Sequence, residues 1–138
     1  MPFPRQVRPS EFTYRREREG GQLYWFDFGE AVSGQLTFAE PHPAIIVSNP
    51  LVTLTGTVLI VPLTGAGNRR PGYEFHVDVT KAECPELDKD SVAKVDQIYC
   101  VESSLMPDQY FIGTVPKNVM KRIYSKLLKV LGYDKVLG

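Results

Sequence analysis

Several side chains suited to work on a polar substrate sit at or near the ends of strand-like runs. His42 stands between Pro41 and Pro43, Thr64 follows Val61-Pro62-Leu63, Arg69 and Arg70 share a Gly-rich turn, and Lys94 and Asp96 punctuate a later run. A histidine, with an ordinary pKa of about 6.5, is suited to taking or giving a proton. The other groups belong to different strands that could share one rim. Three common site types are set aside: there is no Gly-rich phosphate loop before a helix, no histidine pair at metal spacing and no Gly-x-Ser-x-Gly elbow. No metal or cofactor is therefore expected.

The elements that must position these residues read mostly as strands. Gln22-Leu23-Tyr24-Trp25-Phe26-Asp27-Phe28 is an aromatic run of strand length, and the polar stretch 29–41 after it reads as a long loop. Ala44-Ile45-Ile46-Val47-Ser48, stopped by Asn49-Pro50, and Thr57-Val58-Leu59-Ile60-Val61-Pro62-Leu63 are continuous apolar runs that imply burial on both faces. Pro62 points to a strand end or an edge. In 73–79 the alternation puts Tyr73, Phe75, Val77 and Val79 on one face and Glu74, His76 and Asp78 on the other. A further strand covers 91–101, bent near Asp96. Pro116 opens an amphipathic helix in which Met120, Ile123, Leu127 and Val130 recur at helical spacing, and Gly132 closes it. Lys117, Lys121, Arg122, Lys126 and Lys129 fall largely off that stripe and read as a solvated face.

Composition bounds the rest. A chain of 138 residues has room for one hydrophobic core and not two, and 43% hydrophobic with 23% charged residues matches a globular domain. The longest nearly apolar run, 57–63, is far below the roughly 20 residues that span a bilayer. The N-terminus has no apolar leader, so the cytoplasm is the default address. Cys84 and Cys100 are too few for a disulfide framework or a zinc site and read as reduced structural thiols. With sixteen basic and sixteen acidic residues, any nucleic-acid site must be a local patch. Residues 1–20, proline-bearing and then of mixed charge, read as an N-terminal extension, either a frayed tail or an arm lying on the domain or a partner, ahead of a domain over 21–138.

The order of the runs carries a resemblance. Gly21-Gln22-Leu23-Tyr24-Trp25-Phe26-Asp27-Phe28-Gly29, then Pro43-Ala44-Ile45-Ile46-Val47-Ser48-Asn49, then Val61-Pro62-Leu63-Thr64, then Lys89-Asp90-Ser91-Val92-Ala93-Lys94-Val95-Asp96-Gln97-Ile98 resembles the PemK/MazF family of toxin endoribonucleases. The likeness covers about 21–131. It implies a mainly β fold with a C-terminal helix, an SH3-like β-barrel, and a homodimer whose interface holds single-stranded RNA. It also implies an antitoxin partner and cleavage without a metal, in which the RNA 2′-hydroxyl attacks the adjacent phosphate to leave 2′,3′-cyclic phosphate and 5′-hydroxyl ends.

By the same resemblance Thr64 matches the family threonine that bonds the scissile phosphate, with a strand-end threonine bonded to backbone as the rival reading. Lys94 and Asp96 fall where some members carry an arginine and an aspartate, or else form a surface salt bridge. Lys94 offers a point charge without a bidentate fork. His42 replaces the arginine usual before the proline of the second strand, so proton transfer is gained where a permanent charge is lost. RNA contacts are expected at Gln35, Phe38, Arg69, Arg70 and Gln97, although Ser33-Gly34-Gln35-Leu36-Thr37-Phe38-Ala39-Glu40 departs from the family loop. Phe38 either stacks on a base or packs under its own loop, and Arg69 and Arg70 either hold phosphates or sit in a solvated turn. His76 reads as an ordinary surface histidine. Two other readings stand beside the nuclease: a binding homologue that lost cleavage with the change at His42, and a gyrase-type poison, whose usual Trp-Gly-Ile-like end is absent here.

Overall fold

The protein is described by a computed structural model over residues 17–29, 40–68 and 70–137. In chain order it forms β1 (Gln22–Asp27), β2 (Pro41–Ile46), a short α1 (Pro50–Thr53), β3 (Thr57–Gly65), β4 (His76–Val79), β5 (Ser91–Lys94), β6 (Tyr99–Glu102), β7 (Phe111–Thr114), α2 (Lys117–Val130) and α3 (Tyr133–Leu137). All strand pairs are antiparallel, in the order β4-β5-β3-β2-β1-β7, with β6 also on β3. The result is a curved half-barrel of mainly β structure with C-terminal helices.

The strand β3 organises the sheet. One edge pairs with β2 through Ala44↔Pro62, Ile45↔Val61 and Ile46↔Ile60. The other edge pairs first with β6, up to Ile60↔Tyr99, and then with β5, from Leu63↔Ala93 onward. Pro62 is therefore neither a strand end nor an edge residue, as its type had suggested. It lies where β3 passes from one ladder to the next, a point at which a missing N–H costs the sheet least. The run 91–101 is divided by a turn at Val95 and Asp96 into β5 and β6, the bend expected there. Only His76–Val79 of the alternating run 73–79 is strand, with Val77 and Val79 buried and Asp78 exposed.

Period-2 alternation sends side chains into two cores. Leu23, Ile45, Val61, Leu63, Val79 and Ala93 face α2 and meet Val119, Met120, Ile123 and Leu127. On the other side Tyr24, Phe26, Ala44, Ile46, Val58 and Ile60 close on Met106 and Tyr110. Helix α2 follows Pro116, is capped at Leu131 and is closed by Gly132 just beyond, whose φ of 80° suits glycine after a helix C-terminus. Its cationic face is mostly exposed, yet it also ties the helix to the sheet. Arg122 meets Glu83 at 3.0 Å and the carbonyl of Asp78, and Lys129 meets Glu74 at 2.6 Å. Asn49, expected only to stop a strand, caps α1 by accepting the Leu51 N–H at 2.9 Å.

Residues 17–20 are fixed to the second core. Arg18 is 2% exposed. Its Nε donates to the Met106 carbonyl at 2.9 Å, it pairs with Asp108 at 3.1 Å, and its guanidinium lies 5.0 Å from the centre of the Tyr24 ring. The Arg18 carbonyl accepts from Thr53 Oγ1, and Gln22 Nε2 donates to the Glu17 carbonyl. A buried cation is tolerable only with such partners.

Two outcomes follow. Replacing Arg18 with Ala leaves Asp108 without its cation beside an emptied site and is expected to lower stability by about 3 kcal/mol, read from urea unfolding; an unchanged midpoint would contradict the pairing. The thiols should also differ. Cys84 is buried, and burial followed by the neighbouring Glu86 carboxylate pushes its pKa up to about 11, whereas Cys100 is exposed on β6. Alkylation of the native protein at about pH 8 should therefore modify Cys100 alone, with Cys84 reacting after unfolding, as mass spectrometry would show.

Candidate functional site

The change of partners along β3 opens a cleft. Beyond Ala44↔Pro62, β2 stays on β1 through Pro43↔Trp25, His42↔Phe26 and Pro41↔Asp27, while β3 continues onto β5. Pro41 and Pro43 lack N–H donors, which leaves this stretch of β2 little with which to follow β3. The gap between the diverging strands is a cleft of about 230 Å³ lined by Trp25 and 41–43 on one wall, 63–65 on the other, and 86–89, Ser91 and Ile112 around the rest. His42 and Thr64, from different strands, both line it.

His42 is half-buried, 6.4 Å between ring centres from Phe28, and Phe28 stacks edge-on with Phe26 and Tyr99 at 4.7 and 5.0 Å. Thr64 Oγ1 accepts from Asn68 Nδ2 at 3.0 Å. A hydroxyl that accepts in this way keeps its proton available for an incoming oxygen. The partner is a side chain four residues on, not the backbone group that the rival reading of Thr64 invoked.

The register places the remaining groups. Thr64 lies opposite Val92, and Val92 and Lys94 share a pleat side, so Thr64 and Lys94 belong to one face of the sheet. Lys94 in turn lies opposite His76. Here the predicted residues divide into two groups. Arg70 and Asp96 cluster around Tyr73: the Tyr73 hydroxyl donates to Asp96 Oδ2 at 2.5 Å, and the Arg70 guanidinium sits 5.1 Å from the Tyr73 ring centre. The hydrogen bond to Asp96 raises the Tyr73 pKa, with burial adding to it. His76 is half-buried, its Nδ1 accepts the Arg70 N–H at 3.4 Å, and its ring meets Tyr73 edge-on at 4.7 Å. It is thus part of this cluster and not a bystander. Gln97 closes the turn after β5 and accepts from the Tyr99 hydroxyl at 3.4 Å.

Gln35, Phe38 and Arg69 lie outside the described residues. Sequence reasoning missed Asn68 and Tyr73 as partners of the predicted groups, and it missed the segment 86–89, whose polar composition gave no sign that it closes a cleft. Trp25 was read only as part of an aromatic strand, yet it forms a wall. Among the described residues, no group of three or more His, Cys, Asp or Glu side chains is placed to hold a metal ion, and no helix is long and apolar enough to cross a membrane.

Comparison with known proteins agrees with the fold. Residues 19–131 match the family model described as the PemK-like, MazF-like toxin of type II toxin-antitoxin systems. Among solved structures, a mycobacterial endoribonuclease in complex with its cognate antitoxin is 24% identical with a TM-score of 0.64, over 83% of this chain and 94% of that one. MazF from Deinococcus radiodurans is 22% identical with a TM-score of 0.66, over 83% and 96%. The Mycobacterium tuberculosis toxin MazF-mt6 is 13% identical with a TM-score of 0.60, over 80% and 96%. No curated protein sequence matches. The half-barrel, its closing helix and a family match over most of its length establish that this chain belongs to the PemK/MazF family of toxins of type II toxin-antitoxin systems.

Proposed function

We propose that the protein is a metal-independent endoribonuclease that cuts single-stranded RNA at the cleft between β2 and β3. The observation that carries this reading is the meeting of His42 and Thr64, from separate strands, on the walls of one cleft. The reaction needs a group to take the 2′-hydroxyl proton, a proton for the departing 5′-oxygen, and charge or donors at the phosphorane. His42 takes the first proton and returns it to the 5′-oxygen as the bond from phosphorus to that oxygen breaks, so no net proton is consumed. The Thr64 hydroxyl, held by Asn68, donates to a non-bridging oxygen. Lys94, on the same sheet face, supplies positive charge. Asp96 acts through Tyr73, which it holds beside Arg70. DNA lacks the attacking hydroxyl and is not cut.

The wider setting is proposed from the family. The partner is a cognate antitoxin, a complex of the kind seen for the mycobacterial endoribonuclease and for MazF of D. radiodurans. The working form is a homodimer in the cytoplasm. Arg70 and Gln97 contact RNA from the β4 and β5 end of the site, and Gln35, Phe38 and Arg69 are their counterparts outside the described residues. The domain proper covers 21–138, with 1–20 as an extension whose last residues are docked through Arg18.

The purified protein is expected to cut a long single-stranded RNA in EDTA at a recurring short sequence and to leave cyclic phosphate ends; intact RNA would refute the nuclease reading and favour a binding homologue. His42→Ala and Thr64→Ala should each slow cutting by about a hundredfold or more without loss of the folded far-UV spectrum. The pH dependence follows from the base role. Protonated His42 cannot accept, so the rate should fall as acid protonates it, and His42→Arg should remove that limb. A wild-type profile flat from about pH 5 to 8 would rule out proton transfer by His42.

A further inference from the structure

We propose that the cleft beside His42 and Thr64 is a base-specific pocket that receives one guanine of the RNA next to the cut, a proposal that rests on the nuclease reading. Its floor is apolar, formed by Leu63 and Leu87, and Trp25 gives it a half-buried aromatic wall. Its rim carries the exposed side chains of Glu86, Asp88 and Lys89. At about 230 Å³ the space is smaller than the roughly 300 Å³ at which drug-sized pockets begin. It therefore suits a single flat ring system stacked on Trp25 better than a length of peptide.

The rim charges choose the part of the nucleotide that enters. Two carboxylates repel phosphate, so the phosphate stays at His42 and Thr64 while a base edge faces the rim. Ionised carboxylates only accept hydrogen bonds, and an ammonium only donates. The pocket therefore favours a base with adjacent N–H donors and a carbonyl acceptor. Guanine meets this with N1–H and the 2-amino group for the carboxylates and O6 for Lys89. Adenine and cytosine each offer one amino group, and uracil a single N–H between two carbonyls.

The rim is also built in place. The stem of Glu86 lies over Gly113, where a Cβ would come within 2.9 Å of its Cγ. The stem of Lys89 lies over Gly65, where a Cβ would meet its Cε at 3.2 Å. The Cys84 thiol donates to Glu86 Oε2 at 3.5 Å. Bare glycine backbone beneath both charged residues lets them lie against the cleft.

Trp25 is the only tryptophan in the chain, so its fluorescence reports directly on the pocket. The test titrates the full-length protein with short 2′-deoxy oligouridylates, which cannot be cut, carrying one central guanine, hypoxanthine, adenine or cytosine. Guanine should quench Trp25 at concentrations about tenfold lower than the others. Hypoxanthine, which lacks the 2-amino group, should lose most of that advantage. Glu86→Gln and Asp88→Asn should each remove the preference for guanine while leaving the thermal midpoint unchanged, and Gly113→Ala should weaken it by displacing Glu86. Equal quenching by all four bases, or none by any, overturns the proposal. The two readings fail separately. Guanine-selective quenching by a protein that never cuts RNA defeats only the nuclease, and cleavage whose mapped ends show no guanine at a fixed nearby position defeats only the pocket.

Discussion

A strand buried on both faces still has to satisfy the N–H and C=O groups along both of its edges, and β3 meets that requirement by changing partners along its length. Residues 57–60 are held by β6, 60–62 by β2 on the other edge, and 63–65 by β5. The exchange is set at Pro62, which has no N–H to give. Beyond Ala44↔Pro62 β2 continues on β1 alone while β3 continues onto β5, and the cleft is what that separation leaves. The two faces of the sheet each carry a core.

Each core has its own closure. On one side α2 lays Val119, Met120, Ile123 and Leu127 against the sheet, and its cations reach Glu74 and Glu83 at the flanks of β4. On the other side the closure is made by two short 3-10 turns, Ser103–Leu105 before Met106 and Asp108–Tyr110. Arg18 supplies what those turns lack, a donor for the Met106 carbonyl and a charge for Asp108. One core is thus sealed by an amphipathic helix, and the other by two short turns to which Arg18 is fixed.

Much of this was legible in the residue order. The doubly apolar runs of β2 and β3, the bend near Asp96, and the helix bounded by Pro116 and Gly132 all follow from local chemistry, because periodicity and backbone restriction act within a few residues. Pro62 misled, since the rule confining proline to edges does not foresee a strand that changes ladders in its middle. The site was legible as a set of candidates and not as an arrangement. His42 and Thr64 stand 22 positions apart by residue number, and only the register brings them to one cleft. The pairing of Asp96 with Tyr73 and of Thr64 with Asn68 depends on turn geometry, which polar composition alone does not encode. The segment 86–89 is placed by contacts across the sheet, including Glu86 over Gly113 in β7, and no local signal marks it.

The Arg18 anchor bears on where this domain begins. The family match starts at residue 19, one position after the side chain that closes the second core. Residue 18 nevertheless belongs to the same cooperative unit as the matched segment, and a chain cut at the edge of the match would lose the donor that holds the Met106 carbonyl.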